Sequence, residues 1–147
     1  MADVIPLTPQ LREKVYEYGG LGRRAWEAGD VASAERHFLE AWSCIPEPRL
    51  QHDFAASMAV ALTEFYRDTG QSEPAARWLA LARAAYGPEP DPHTEFLAAT
   101  VFYEVGDMDE AYVLFDGLYK TYKRRPFEGA KPDYLSYYLE RSGAGKR

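Results

Sequence analysis

The chain contains the stretch GDVASAERHFLEA at residues 29–41, in which a glycine is followed by small and bulky apolar residues at fixed distances. An alanine stands five positions after the glycine, a bulky apolar residue four further on, and another apolar residue three beyond that. The same spacing returns in GQSEPAARWLALA at residues 70–82 and in GDMDEAYVLFDGL at residues 106–118. A helical hairpin that cannot bury its own apolar face stacks on copies of itself, so this repetition predicts stacked hairpins.

Signals for helix ends surround the three copies. Thr8 and Asp91 each precede a proline, which combines a capping side chain with proline at the first helical position. Asp30 and Asp107 follow turn glycines, where they are expected to cap the next helix. No segment alternates with a period of two, so strands are not expected. The pattern predicts an all-α fold of about seven helices, arranged as three hairpins and a final helix.

The first predicted helix contains three glycines in close succession, Gly19, Gly20 and Gly22. Each glycine costs a helix up to about 1 kcal/mol relative to alanine. We therefore expect a kink at this point or a tight contact with a neighbouring helix.

Composition excludes several classes of protein. The chain has 147 residues, of which 46% are hydrophobic, as expected for one folded domain. Its net charge of −6 disfavours nucleic-acid binding, and the basic cluster at residues 120–125 is short. No apolar run approaches the roughly 20 residues of a membrane span, and the N-terminus lacks the pattern of a secretion signal. The expected location is the cytoplasm.

The sequence offers no set of residues with the spacing of a catalytic or metal site. His37, His52 and His93 form no pair four residues apart on one helix, and Cys44 has no partner at metal-ligand spacing. Cys44 is expected to be a buried residue near a helix end. The glycines at residues 19–22 lack the lysine of a phosphate-binding loop. We therefore expect a protein that is not an enzyme and needs no cofactor.

The repeated pattern resembles the tetratricopeptide repeat (TPR) family. The residues of the first unit that match the family pattern are Leu21, Gly22, Gly29, Ala34, Phe38, Ala41 and Pro46, whereas Ala25 departs from it. The second and third units match through Leu62, Tyr66, Gly70, Ala75, Leu79 and Ala82, and through Ala99, Phe102, Gly106, Ala111, Phe115 and Leu118. The resemblance implies a right-handed superhelical array of antiparallel helix hairpins.

On this resemblance, residues 1–147 form a single TPR-like domain. Its repeat units cover residues 15–48, 56–89 and 92–125, followed by a capping helix at residues 132–141 and a frayed tail at residues 142–147. The family repeat is about 34 residues long, whereas the turn glycines here lie 41 and 36 residues apart. The longer interval predicts an unusually long first helix in the second unit, beginning near residue 49.

The family resemblance also implies a mode of action, because the first helix of each hairpin lines a concave face. The corresponding residues are Tyr16, Arg23, Trp26, Glu27, Ser57, Glu64, Arg67, His93, Phe96, Thr100 and Tyr103. Tryptophan, tyrosine and arginine dominate the energetics of many interfaces, although Trp26 and Phe96 are equally well interpreted as helix packing. The expected function is a protein–protein interaction module that binds one protein or peptide. The set lacks the lysines and asparagines with which related proteins hold chaperone tails.

A weaker resemblance concerns the C-terminal part of the chain. The residues around Phe127, Pro132 and Tyr134 are similar to the ends of small bacterial repeat proteins encoded beside polymorphic toxins. This suggests an immunity protein whose partner is a toxin domain. The alternatives are a secretion or assembly chaperone and a self-assembling structural protein. In the last case Tyr134, Tyr137 and Tyr138 would join two chains, so both a monomer and a homodimer are compatible with the sequence.

Overall fold

A computed structural model of the protein describes residues 4–143, in which the main elements are seven α-helices. The helices are α1 (Pro9–Glu27), α2 (Val31–Ser43), α3 (Ala55–Asp68), α4 (Ser72–Tyr86), α5 (Pro92–Val105), α6 (Met108–Tyr122) and α7 (Pro132–Ser142). Helix α1 packs against α2, α3 against α4, and α5 against α6, and α3 also contacts α5. The predicted all-α array of helix hairpins is confirmed.

The three hairpins turn in the same way. Gly29, Gly70 and Gly106 have φ angles of 81°, 73° and 89°, a left-handed conformation that side chains other than glycine rarely adopt. In each turn the glycine N–H and the next N–H donate back to two carbonyls of the preceding helix, as in a Schellman motif. The glycine of the repeated spacing therefore marks each turn, as predicted.

The apolar positions of the spacing form the core. Ala34, Ala75 and Ala111 have no exposed surface, and the bulky residues four positions later are 5% exposed or less. Gly22 lies so close to Phe38 that an added Cβ would be 2.6 Å from the ring, whereas α1 continues unbroken from Pro9 to Glu27. Of the two expectations for the glycine cluster, the tight contact is the one observed.

Most of the predicted helix starts are confirmed. Thr8, Asp30 and Asp91 each accept a hydrogen bond from a backbone N–H in the first turn of the following helix. Asp107 occupies the N-cap position of α6 as predicted, but its side chain accepts no such bond.

The prediction of a long helix at the start of the second hairpin is wrong. Helix α3 begins at Ala55 and has 14 residues, and the extra length lies in the connection from α2. This connection contains a short 3₁₀ helix at Arg49–Gln51 and an isolated bridge between Ile5 and His52. The N–H of Ile5 donates to Gln51 and its carbonyl accepts from Asp53, both at 2.8 Å. These long-range hydrogen bonds stabilise an extended connection that local periodicity does not reveal.

The C-terminal segment folds back onto the last hairpin. After α6 the chain forms a second 3₁₀ helix at Arg125–Phe127, and α7 then packs on α6. Tyr134 and Tyr138 are 3% exposed and join the aromatic core around Phe115. They are therefore not available as the exposed tyrosines of the self-assembly alternative. Of the predicted frayed tail, residue 142 belongs to α7, and residues 144–147 lie outside the described residues.

Within residues 4–143, none of the helices combines the length and the apolar character that crossing a lipid bilayer requires.

Candidate functional site

The structure brings together five of the eleven residues predicted for the concave face. Glu64 and Arg67 from α3 and His93, Phe96 and Thr100 from α5 border one cleft with a volume of about 810 Å³. The third side of the cleft is formed by the end of α6 and the C-terminal segment, which the family resemblance did not place on the concave face. The residues on this side include Tyr122, Arg125, Glu128, Lys131 and Tyr134.

The other predicted residues lie elsewhere. Tyr16, Arg23, Glu27 and Ser57 are exposed on α1 and α3 and do not border the cleft. The ring of Tyr16 makes an edge-to-face contact with Phe54 and is 63% exposed.

Two predicted aromatic residues pack between helices. The ring centre of Trp26 lies 5.3 Å from that of Phe65 on α3, in an edge-to-face contact. Tyr103 makes similar contacts with Tyr134 and Tyr137 of α7. Trp26 therefore packs between helices, which is one of the two interpretations that the sequence allowed. Phe96 has both properties, since it borders the cleft and also contacts the ring of Phe127 at 5.3 Å.

Arg67 is held rigidly in the wall between α3 and α5. Its Nε and Nη2 atoms donate to the two carboxylate oxygens of Asp68 at 2.7 and 3.1 Å, and its Nη1 donates to Thr100 Oγ1 at 2.9 Å. The Thr100 hydroxyl in turn donates to the carbonyl of Leu97 at 2.7 Å. Burial works against the charge of Arg67, but the hydrogen bond and the charge of Asp68 outweigh it and raise the pKa of the guanidinium.

Glu64 differs from Arg67 because its carboxylate is unpaired. Among the residues that the structure describes, it has no hydrogen bond and no ion pair, although it is half-buried. Burial raises the pKa of the Glu64 carboxyl above its ordinary value, and the positive charge of Arg67 offsets part of this effect. Asp68 is one turn away on the same helix and adds to the increase.

On the opposite side of the cleft, Lys131 is engaged in an ion pair. Its Nζ lies 2.6 Å from Glu104 Oε2, which also accepts a 2.7 Å hydrogen bond from the hydroxyl of Tyr134. These contacts link the start of α7 to α5. Arg125 and Glu128 also border the cleft, and neither has an ion pair within the described part of the chain.

The cleft combines charged groups of both signs with aromatic surface. Arg67 and Thr100 are already used in hydrogen bonds between the helices, so the charged group that remains free on the α3 wall is Glu64. No group of three or more histidine, cysteine, aspartate or glutamate side chains within residues 4–143 is arranged to hold a metal ion. A cleft with charged groups of both signs and aromatic surface is suited to binding a surface that is partly polar and partly apolar.

Cys44 lies half-buried at the end of α2, far along the chain from the cleft residues, and burial raises the pKa of its thiol.

Two features of the sequence relate to the part of the cleft that was not predicted. Pro126 and Gly129 mark a turn after α6, and the capping helix must cover the last hairpin. Neither feature says that the turn folds toward α3 and α5, which decides where the cleft lies.

No protein-family model matches the chain, and a search of curated proteins found no match.

Proposed function

We propose that this protein is a TPR-like, non-enzymatic binding module that takes a segment of a partner protein into the cleft between α3, α5 and residues 125–134. The observation that carries the proposal is the convergence on this cleft of side chains from three separate parts of the chain. Clefts of roughly 300–1,000 Å³ with apolar walls and a few polar groups are typical binding sites.

The chemistry of the cleft favours binding over catalysis. Two hydroxyl groups of the cleft, those of Thr100 and Tyr134, have hydrogen bonds to charged neighbours. The Thr100 hydroxyl belongs to a residue that is 1% exposed, and it donates to a backbone carbonyl. His93 has a ring contact with Tyr86 but no hydrogen bond to a hydroxyl or thiol in the described residues. A nucleophile and its base must lie within hydrogen-bond reach of each other. The Tyr134 hydroxyl meets this condition with Glu104, but burial and that hydrogen bond raise the pKa of the hydroxyl and disfavour its ionisation, and Lys131 pairs with the same carboxylate.

The proposal is tested by selecting peptides from a phage-displayed random library and measuring their affinity for matched variants. His93→Trp places a bulky ring at the mouth of the cleft, whereas Glu17→Trp adds the same ring on α1, away from it. We expect H93W to weaken binding of the selected peptides at least tenfold, about 1.4 kcal/mol, and E17W to leave it unchanged. Equal affinity for wild type and H93W, or a selection that yields no binding peptide, would contradict the proposal.

We further propose a bacterial toxin domain as the partner, on the strength of the resemblance at residues 127–135. The test is co-expression with the product of a neighbouring gene that inhibits growth. Protection by the wild type but not by H93W, with a purified complex of the two proteins, is the expected result. Growth inhibition that persists with wild-type protein would count against an immunity role and leave the cleft proposal to be judged by the peptides.

A further inference from the structure

The free charge on the α3 wall of the cleft is negative. All three nitrogen atoms of the Arg67 guanidinium already donate hydrogen bonds to Asp68 and Thr100. A carboxylate entering the cleft would have to compete with Asp68, which holds Arg67 through two bonds in the favourable fork geometry. Arg67 is therefore a positioning residue that joins α3 to α5, and an entering anion would meet only the two N–H groups that remain of its five.

Glu64 carries the charged group on this wall that has no partner among the described residues. Its carboxylate is half-buried, lies near Arg67 without forming an ion pair, and makes no hydrogen bond within residues 4–143. Two carboxylates, Glu64 and Asp68, face a single guanidinium, so the α3 wall has an excess of one negative charge. A carboxylate partly removed from water is unfavourable unless a cation pairs with it. A cation supplied by the occupant of the cleft would satisfy this group.

The walls around Glu64 suit a long basic side chain. Phe96 and Pro92 border the same cleft and offer apolar surface. Lysine and arginine lay their methylene stems along such surface and place their charged ends near carboxylates or aromatic faces. The protein contains one such arrangement already, because the Nζ of Lys131 pairs with Glu104 and lies 5.3 Å from the centre of the Tyr134 ring.

We infer that Glu64 recognises a lysine or arginine side chain of the segment that occupies the cleft. The inference rests on the proposed function and adds the chemical class of residue that the partner must present. Glu64 acts as the counter-ion, and the aromatic and proline side chains around the cleft contact the stem of the basic residue.

The test uses fluorescein-labelled peptide libraries in which one central position is fixed and the flanking positions are random. The fixed residue is arginine or lysine in the test libraries and citrulline or norleucine in the matched neutral libraries. We expect wild-type protein to bind the arginine or lysine library about tenfold more tightly than its neutral counterpart, as measured by fluorescence anisotropy. The preference should disappear in Glu64→Gln and persist in Glu13→Gln, which removes the same charge from the exposed surface of α1.

The outcomes separate this inference from the proposed function. Two results would overturn the role of Glu64 and leave the cleft as a binding site. In the first, binding is lost in H93W but shows no preference for a basic residue. In the second, E64Q and wild type show the same preference. Binding that no cleft substitution affects overturns both. Since glutamine has nearly the same shape as glutamate, circular dichroism of E64Q should match that of the wild type, and Glu64→Asp provides a second variant that retains the charge.

Discussion

The contact between Gly22 and Phe38 makes a quantitative prediction about the first hairpin. A Cβ at Gly22 would lie 2.6, 2.7 and 3.0 Å from three ring carbons of Phe38, distances that the native packing does not allow. The ring of Phe38 is 3% exposed and is held by edge contacts with Trp26 and Phe65. It therefore has little room to move, and Gly22→Ala must push the two helices of the hairpin apart.

Two effects of opposite sign decide the size of the change. Overpacking a close-packed site costs about 1–3 kcal/mol, whereas replacing glycine by alanine within a helix contributes up to about 1 kcal/mol of stability. The overpacking term dominates because ring atoms, not the end of a flexible side chain, occupy the space. We expect G22A to lower the free energy of unfolding by about 1–2 kcal/mol. The melting temperature should then fall by about 2–8 °C, at about 2–4 °C per kcal/mol.

Gly20→Ala is the matched control on the same helix. An added Cβ there meets only the end of the Arg24 side chain, at 3.6 Å, so the gain in helix propensity should remain. Chemical and thermal unfolding followed by circular dichroism would measure both variants. The packing argument is refuted if G22A is as stable as the wild type, or if G20A loses as much stability as G22A.

Three further predictions concern the cleft and the capping helix. Glu64→Gln should raise the melting temperature at pH 7, because the pKa of Glu64 is raised in the folded state and the ionised carboxylate is therefore disfavoured there. This advantage should vanish below the ordinary glutamate pKa of 4.5, where the carboxyl is protonated in both states, and a pH series of melting curves tests it. Arg67→Ala should lower the free energy of unfolding by about 1–3 kcal/mol through loss of the bonds to Asp68 and Thr100, and denaturant titration that shows no loss would contradict this. Burial and a hydrogen bond to a carboxylate of α6 raise the pKa of Tyr138 from 10.0 to about 12, so its contribution to stability is complete below pH 10 and is lost as the pH rises to about 12. Between pH 10 and about 12, the melting temperature of Tyr138→Phe should therefore fall less than that of the wild type. Equal decreases in the two proteins would contradict this role of the Tyr138 hydroxyl.

The parts of the fold that were predicted correctly depend on local spacing. The turn glycines, the buried alanines and the bulky residues after them all follow from positions within one hairpin. Three of the four predicted caps form a side-chain hydrogen bond to the first turn, and two of these residues are followed by a proline. These features are visible in the sequence because hairpin geometry relates residues only a few turns apart.

The mistaken and missing parts of the prediction depend on distant contacts. The connection before α3 is extended because Ile5 donates to Gln51 and accepts from Asp53, residues more than forty positions away. The tyrosines of α7 are buried because the segment after α6 folds back onto the last hairpin. The predicted concave face included five of the residues that border the cleft, on α3 and α5, but not the third side, which that same segment forms.

By itself, the sequence determined the hairpins: where each one turns, and which residues of the repeated spacing are buried. The tertiary structure alone decided which polar side chains act together. It placed Arg67 between Asp68 and Thr100, from two different helices, and left Glu64 unpaired in a half-buried position. Spacing along a chain specifies the faces of helices, whereas the pairing and burial of charges depend on how separate helices approach one another.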